Sequence, residues 1–375
     1  MTLGIVRASA PAEQRVALVP KVLSSLSKKG LEILVESKAG EGAQITDDAF
    51  REAGGRIVSG QEAWESDIIA LVGPPSEDEL DRLKSGATVV GFLQPLETPE
   101  RMAQLADRGV TALAMELVPR ISRAQKMDAL SAMASLAGYK ATLIAANHLP
   151  RFFPLLTTAA GTVRPANVTI LGAGVAGLQA IATARRLGAR VWGYDIREAA
   201  REEVKSLGAQ FVELDLEIED MQDEGGYAKA LMDAKAKQQV ELLVPHLAKS
   251  DVVITTALIP GRSAPTLVSQ KAVEAMAPGS VIVDLAAASG GNCTLTVADE
   301  VMVHNGVQII GHTNLPSTVP TDASFLYART VSAMINEFVQ DGVFQPNFED
   351  EIFRASCVCH NGHIVHERIL SMIKS

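Results

Sequence analysis

The glycine-rich turn within residues 167–177 is the part of the sequence best suited to bind a ligand. The segment reads NVTILGAGVAG, so Gly172, Gly174 and Gly177 follow a β-branched run and precede a helical pattern. In such a unit the first glycine permits a tight turn, the second lets the backbone approach a pyrophosphate, and the third allows close helix–strand packing. The helix amino terminus stabilises the anion. The spacing predicts a dinucleotide-binding turn, and a glycine-rich turn without nucleotide is the alternative.

An acidic residue follows the turn where a ribose contact is expected. Asp195 ends the next predicted strand, 18 residues after Gly177. A carboxylate there accepts a hydrogen bond from a ribose 2′-hydroxyl and repels a 2′-phosphate, which indicates NAD rather than NADP. Arg197 would soften this preference if it faced the ribose, whereas a solvated side chain would not.

The elements around these residues predict an α/β protein with doubly wound parallel sheets. Short β-branched runs alternate with helical patterns such as Pro20–Lys29 and Glu77–Lys84. The acidic segment Glu213–Gly226 is typical of a long loop. The predicted strands are Leu3–Val6, Glu32–Glu36, Ile68–Val72, Thr88–Phe92, Val168–Leu171, Arg190–Tyr194, Val252–Thr255, Ser280–Asp284 and Val307–Gly311.

Length, composition and charge exclude several classes of protein. The chain has 375 residues, of which 47% are hydrophobic and 21% charged, which indicates a globular protein of two or three domains. With 34 basic and 44 acidic residues the net charge is −10, so neither nucleic acid nor a membrane surface is expected as a direct partner. Three cysteines indicate a reducing compartment, and the first ten residues lack the apolar region of a signal peptide.

One uncharged stretch has nearly the length of a membrane span. Ala166–Ala184 runs for 19 residues without a charged side chain. It contains the three glycines of the turn, which interrupt a spanning helix. We therefore expect a buried strand followed by a helix here, and no membrane segment in the chain.

Several motifs resemble those of two related families, alanine dehydrogenase and the NAD-binding alpha subunit (domain I) of proton-translocating nicotinamide nucleotide transhydrogenase. They are Arg15–Pro20 (RVALVP), the glycine turn, Leu258–Gly261 (LIPG) and Pro278–Asp284 (PGSVIVD). The resemblance extends over nearly the whole chain. It implies two Rossmann-like, doubly wound α/β domains flanking a cleft. The first would comprise residues 1–130 with 323–375, and the second, NAD-binding domain residues 131–322.

Three positions distinguish the two families. Alanine dehydrogenases carry Lys, His and Asp where this chain has Gly73, Gln94 and Ala288. Oxidation of an amino acid needs groups that anchor a carboxylate and move protons. Hydride exchange between two nicotinamides needs neither an acid nor a base, only binding, orientation and exclusion of water. The resemblance therefore favours transhydrogenase. The alternatives are an amino-acid dehydrogenase with different catalytic groups and a non-catalytic NAD-sensing module.

The resemblance also implies which residues form the site. Residues 119–128 (PRISRAQKMD) are similar to a transhydrogenase loop that lies near the nicotinamide, although a charged helix start is the simpler interpretation without the resemblance. Residues 223–229 resemble a mobile loop that closes over the nucleotide, and an exposed linker is the alternative. The implied catalytic-site residues are Arg120, Gln125, Asp128 and Ser131. The implied nucleotide contacts are Gly172, Gly174, Val175, Gly177, Asp195, Ile196, Arg197, Gly226, Tyr227, Gln239, Ala257 and Leu258.

The resemblance further implies the cofactors and partners. NAD(H) would bind to this chain and NADP(H) to a partner subunit, with direct hydride transfer between them. Membrane subunits would couple the transfer to proton translocation. The chain would form a homodimer and lie in the cytoplasm, peripheral to the inner membrane through its partner subunits, with no membrane span of its own.

The carboxyl-terminal segment 357–366 combines possible metal ligands with a turn signal. Its ligand types are Cys357, Cys359, His360, His363 and His366, and Asn-Gly at 361–362 predicts a two-residue hairpin turn. Such a hairpin pairs residue 360 with 363, 359 with 364 and 357 with 366. The ligands are then divided between two faces, so we predict no metal site.

Overall fold

The computed structural model describes residues 1–10, 12–214, 226–259 and 261–374, with only the backbone for 226–234. The described chain forms two compact units. Unit 1 comprises Met1–Met133 and Pro316–Ser375, and unit 2 comprises Ala134–Leu315. The chain thus leaves the first unit once and returns to it.

The described strands are short and lie mostly in two large sheets. In chain order they are Thr2–Ile5 (β1), Glu32–Glu36 (β2), Arg56–Val58 (β3), Ile68–Leu71 (β4), Thr88–Gly91 (β5), Thr111–Ala114 (β6), Leu156–Thr158 (β7), Gly161–Val163 (β8), Asn167–Leu171 (β9), Arg190–Tyr194 (β10), Gln210–Phe211 (β11), Val252–Thr255 (β12), Val281–Asp284 (β13), Val301–His304 (β14), Val307–Ile310 (β15), Val339–Gln340 (β16), Val343–Phe344 (β17), Cys357–His360 (β18) and His363–Ile364 (β19).

The described α-helices connect these strands. They are Pro20–Ser27 (α1), Asp47–Glu52 (α2), Gly60–Trp64 (α3), Glu77–Leu80 (α4), Pro99–Asp107 (α5), Ala129–His148 (α6), Val175–Arg186 (α7), Ala200–Ser206 (α8), Gly226–Leu247 (α9), Gln270–Ala275 (α10), Pro320–Phe338 (α11), Glu351–Ser356 (α12) and Glu367–Lys374 (α13). Proline occupies the first turn of α1, α5 and α11, where its missing N–H costs no helical hydrogen bond.

Unit 1 contains an eight-stranded sheet in the order β19-β18-β6-β5-β4-β1-β2-β3. The six strands from the amino-terminal part pair in parallel, and β18 joins antiparallel to β6. The apolar core on one side of this sheet includes Trp64, Met102 and Ile369, all nearly inaccessible to water. Residues from the two ends of the chain therefore share one core.

Unit 2 contains a seven-stranded sheet in the order β11-β10-β9-β12-β13-β15-β14. Every pair is parallel except β14 with β15. The strand order reverses between β9 and β12, which is where a doubly wound sheet binds its ligand. The predicted α/β class and the parallel sheets are confirmed, and β2, β10 and β12 have the predicted bounds.

The uncharged stretch 166–184 forms β9, the glycine turn and most of α7, as predicted. A different helix, α6, is long and apolar enough to cross a membrane by length and composition alone. This is weak evidence, since a core helix of a protein outside the membrane passes the same test. In unit 2, Gly138 of α6 packs against the Ala176 carbonyl, and the Thr142 hydroxyl donates a hydrogen bond of 3.3 Å to the Ala180 carbonyl.

The carboxyl-terminal hairpin is only partly as predicted. Cys359 pairs with Ile364 and His360 with His363, but Cys357 pairs with Leu113 of β6 rather than with His366. The predicted third pair is wrong because β19 ends at Ile364, and the N–H groups of Val365 and His366 both donate to the Val358 carbonyl, at 2.9 and 3.3 Å. Burial raises the pKa values of Cys357 and Cys359 to about 12. The described residues contain no group of three potential metal ligands.

Candidate functional site

The glycine turn of unit 2 leaves an open helix amino terminus. Gly172 has φ of 99°, and a Cβ on Gly177 would lie 1.8 Å from the Gly172 carbonyl oxygen, so internal geometry requires both glycines. Gly174 differs, because a Cβ there would meet no atom within 4 Å. Gly174 is also the N-cap of α7 and supplies no side-chain cap. The open space and the uncapped amides fit a pyrophosphate. Packing within the described chain, by contrast, gives no reason for a glycine at position 174.

Asp195, just beyond β10, is bound to this turn. One carboxylate oxygen accepts a 2.8 Å hydrogen bond from the Ala173 N–H, and the other accepts one of 2.9 Å from the Arg197 N–H. The Arg197 guanidinium lies 3.0 and 3.1 Å from the two oxygens. Burial alone would raise the pKa of Asp195, but the bonds from Arg197 and Ala173 bring it below its usual value. The carboxylate is therefore ionised at neutral pH.

The Arg197 side chain covers the outer side of Asp195. The arginine side chain is 58% exposed and that of Asp195 only 10%. A ribose hydroxyl that reaches the carboxylate must share it with this guanidinium or displace it. The sequence indicated the acid but not that its charge is already paired.

Most of the predicted nucleotide contacts lie at one edge of the sheet in unit 2. Strands β10, β9 and β12 are adjacent and parallel, so the residues after each strand meet at the carboxyl edge. Large apolar side chains are exposed there, namely Val175, Ile196, Leu258 and Ile259. Ile196, with 76% of its surface exposed, is the most exposed of them. The structure thus brings Gly172, Gly174, Val175, Gly177, Asp195, Ile196, Arg197, Ala257 and Leu258 to this edge.

Three predicted contacts lie on a different element, helix α9. Gly226 and Tyr227 form its first turn, and residues 223–225 of the predicted loop lie outside the described residues, as does the Tyr227 side chain. Gln239 lies within α9 and is not part of the strand edge. Their predicted contacts stay predictions.

The four predicted catalytic-site residues lie on one short segment of unit 1. Residues Ser122–Met127 form a 3₁₀-helix, and Asp128 caps the first turn of α6 by accepting bonds from the Ser131 N–H (2.8 Å) and hydroxyl (2.6 Å). Arg120 and Gln125 are exposed. The segment therefore holds Asp128 and Ser131 together and leaves Arg120 and Gln125 accessible to a ligand.

The remaining charged residues of this segment anchor it. Arg123 contacts Glu337 at 2.9 Å and Asp350 at 2.8 Å, and Lys126 contacts Glu337 at 2.8 Å. These bonds lower the pKa values of both carboxylates, that of Glu337 chiefly through Lys126 and that of Asp350 chiefly through Arg123. Gln125 lies between the two anchors, which restricts the backbone that carries it.

Comparison with protein families agrees with this geometry. The model described as alanine dehydrogenase/PNT, N-terminal domain, matches residues 4–137, and the model described as alanine dehydrogenase/PNT, C-terminal domain, matches residues 141–367. The chain belongs to the alanine dehydrogenase/PNT family. Its sequence is thus assigned to the family over nearly its full length.

Within the alanine dehydrogenase/PNT family the chain is more similar to transhydrogenases. It is 44% identical to the NAD(P) transhydrogenase subunit alpha (first part) of Rhodospirillum rubrum, over 98% of both chains. The crystal structure of transhydrogenase from Sinorhizobium meliloti matches with a TM-score of 0.88 and 42% identity, over 97% of this chain and 100% of the other. The alanine dehydrogenase of Bacillus subtilis is 28% identical over 98% of this chain and 94% of that protein. The predicted resemblance is confirmed.

Glu116, in unit 1, is a half-buried acid that sequence analysis missed. Gln94 has φ of 52° and donates its N–H to a Glu116 carboxylate oxygen at 2.8 Å. Within the described chain the other oxygen is buried without a hydrogen-bond partner. Burial raises the pKa of Glu116 to about 7. In the sequence, the feature that could have indicated this acid is its position as the single charged residue of the mainly apolar run 110–118.

Glu116→Gln should change how stability depends on pH. Because the folded-state pKa is raised, wild-type stability is lost as pH rises from about 4.5 through about 7, by at most about 3 kcal/mol. Glutamine stays neutral and keeps the acceptor for the Gln94 N–H, so the variant should become the more stable protein above pH 7. Urea unfolding at pH 5 and pH 8 measures this, with Glu52→Gln, at an exposed position of unit 1, as control. An unchanged pH slope would show that Glu116 titrates normally.

Proposed function

We propose that this chain is the NAD(H)-binding component of an NAD(P) transhydrogenase and passes hydride directly between its own nicotinamide and NADP(H) bound to a separate subunit. The observation that carries this proposal is the open space at Gly174 on an uncapped helix, next to the carboxylate of Asp195. The identity to transhydrogenase alpha subunits supports it.

The chain's own groups suit binding and orientation. The α7 amino terminus would hold the pyrophosphate, Asp195 the adenosine ribose, and the exposed apolar side chains of the strand edge would shield the nucleotide from water. Gln125 and Asp128 would fix the carboxamide of the nicotinamide. The nicotinamide itself supplies the hydride at C4. No group that moves a proton is needed at that step, which agrees with Gly73, Gln94 and Ala288 at the three distinguishing positions.

The two domains would divide this work. Residues 131–322 would bind the nucleotide, and residues 1–130 with 323–375 would present the segment that carries Arg120 and Gln125. The boundaries between the two compact units, after Met133 and after Leu315, lie close to these proposed domain boundaries. Membrane subunits would couple hydride transfer to proton translocation and hold the chain at the cytoplasmic face of the inner membrane.

A second copy of the chain would cover an exposed hairpin of unit 2. Strands β7 and β8 are exposed along their whole length, and Phe152, Leu155, Leu156 and Val163 present large apolar side chains to solvent. A two-stranded hairpin is marginally stable alone, and exposed apolar patches mark interaction sites. Sedimentation of the purified protein should give the mass of a dimer, and a monomer at micromolar concentration would contradict this proposal.

The decisive experiment mixes the purified chain with a separately purified NADP-binding subunit. Hydride should pass from NADH to an NADP⁺ analogue only when both proteins are present. Oxidation of NADH by this chain alone with pyruvate and ammonia would instead show an amino-acid dehydrogenase. Tight NADH binding with no transfer to any partner would support the NAD-sensing alternative.

Gln125→Asn should slow hydride transfer more than it weakens NADH binding. The shorter side chain keeps the amide but withdraws it by one methylene, so the nicotinamide loses orientation rather than its main binding contacts. We expect transfer to fall about tenfold or more and the NADH dissociation constant to change by less than about threefold. Gln61→Asn, at an exposed position of α3 in unit 1, is the matched control. Equal losses in rate and affinity would contradict an orienting role.

A further inference from the structure

A buried carboxylate joins the ends of two central strands in unit 2. Asp284, the last residue of β13, is fully buried and receives five hydrogen bonds. The donors are the Thr255 hydroxyl (2.8 Å), the Ala286 N–H (3.0 Å), the Asn292 N–H (2.7 Å), the Cys293 N–H (3.0 Å) and the Thr296 hydroxyl (2.7 Å). The Thr255 hydroxyl belongs to β12. The other four donors belong to residues 286–296, the segment that follows β13. The carboxylate therefore fixes residues 286–296 against the end of β12.

Asn292, held by this carboxylate, in turn holds the backbone after β12. Its side-chain oxygen accepts the Ala257 N–H at 3.0 Å, and its side-chain amide donates to the Ala257 carbonyl at 2.9 Å and to the Pro265 carbonyl at 2.7 Å. The carboxamide pairs with both polar groups of Ala257 as a neighbouring strand would. Because the oxygen accepts one of these bonds and the nitrogen donates the other two, the orientation of the side-chain amide is determined.

The position of Ala257 matters because it lies beside the glycine turn. The preceding residue, Thr256, donates its hydroxyl to the Gly172 carbonyl at 3.1 Å and its N–H to the Leu171 carbonyl at 2.8 Å. The chain leaves regular structure after Thr255, and Ala257 is followed by two exposed apolar residues, Leu258 and Ile259. Among the described residues, Asn292 makes the side-chain hydrogen bonds that hold the Ala257 backbone at the strand edge.

The sheet order assigns the two halves of a dinucleotide to different strands. A dinucleotide crosses a doubly wound sheet where the strand order reverses, here between β9 and β12. Asp195 follows β10, which places the adenosine on that side. The nicotinamide half would therefore lie over the carboxyl ends of β12 and β13, where Asn292 holds Ala257.

We propose that Asn292, fixed by Asp284, is a positioning residue for the nicotinamide half of the bound dinucleotide. This inference rests on the proposed function, because it assumes that the edge binds NAD(H). Asn292 does not touch the reacting atoms. It acts by holding the Ala257 backbone, and the adenosine half of the site does not depend on it.

Binding of NADH and of 5′-AMP to Asn292→Asp tests this proposal. Aspartate has the same shape but cannot donate, so it sets a carboxylate oxygen against the carbonyls of Ala257 and Pro265. NADH affinity should fall about tenfold to a hundredfold, which is the range for a buried hydrogen bond replaced by an unsatisfied group. The affinity for 5′-AMP, which has no nicotinamide, should stay within about twofold of wild type.

Two further variants make the test decisive. Asn167→Asp makes the same change at the amino end of the sheet, where that amide donates to the Lys249 carbonyl, and should leave both affinities unchanged. Asn292→Ala removes the bonds without adding charge, and should reproduce the selective loss of NADH if the aspartate variant does not fold.

The outcomes separate this proposal from the proposed function. Wild-type NADH affinity in both Asn292 variants would overturn the positioning role, and so would equal loss of NADH and 5′-AMP, since that is the result of general unfolding. Failure of the wild-type chain to bind either nucleotide would instead overturn the proposed function itself.

Discussion

Valine in place of Gly174 should abolish NADH binding and leave the protein folded. The Gly174 Cβ position is open, so the new side chain fits without displacing any described atom but occupies the space in front of the α7 amino terminus. We expect the NADH dissociation constant to rise at least about a hundredfold. The free energy of unfolding should fall by about 1 kcal/mol, the cost of a poor N-cap residue. Fluorescence titration with NADH and urea unfolding measure the two effects.

Gly177→Ala is the matched comparison and should behave in the opposite way. Its Cβ would lie 1.8 Å from the backbone oxygen of Gly172, which has no room to move without disrupting the turn. This variant should lose more than about 3 kcal/mol of stability. If Gly174→Val were destabilised as strongly as Gly177→Ala, the open space at Gly174 would be a packing feature rather than a ligand site.

Asp195→Ala should weaken NADH binding and remove the preference for NADH over NADPH. The substitution deletes an acceptor for the ribose and also releases the Arg197 guanidinium from its bonds of 3.0 and 3.1 Å. A released guanidinium beside the ribose favours a 2′-phosphate. We expect NADH affinity to fall about tenfold and NADPH affinity to rise relative to it. Equilibrium titration with each nucleotide gives the ratio.

The Asp195→Ala/Arg197→Ala double variant distinguishes the two causes. If the guanidinium produces the gain for NADPH, the double variant should lose that gain while NADH binding stays weak. Arg197→Ala alone keeps the carboxylate and should keep the preference for NADH. An unchanged NADH-to-NADPH ratio in Asp195→Ala would show that this acid does not contact the ribose.

The central strands of both sheets were predictable because their signal is local. β2, β10 and β12 begin and end at the predicted residues, since each is a short run that combines β-branched residues with other large apolar or aromatic ones, or consists of β-branched residues alone. Helix α4 is shorter than predicted and ends at Leu80. The helical pattern continues beyond that residue, but periodicity predicts the type of an element better than its end.

Long-range pairing was the aspect of the fold that the pattern could not predict. The Asn-Gly turn correctly predicted the hairpin of β18 and β19, but the pairing of Cys357 with Leu113 depends on a strand far away in the sequence. A hairpin signal describes its own two strands and does not indicate which sheet edge they join. The wrong pair, Cys357 with His366, follows from extending a regular ladder beyond Ile364, where the N–H groups of Val365 and His366 both donate to the Val358 carbonyl.

The sequence by itself determined the class of fold, the dinucleotide-type turn and the acid that follows it, because each depends on residues close together in the chain. Only the tertiary structure showed that Arg197 already pairs with Asp195, that Gly174 faces open space and that one Glu116 carboxylate oxygen is buried without a hydrogen-bond partner in the described chain. It alone showed Asn292 bound to Ala257, 35 residues away in the chain. Hydrogen bonds, burial and free space depend on which segments the fold brings together, and residue spacing does not record that.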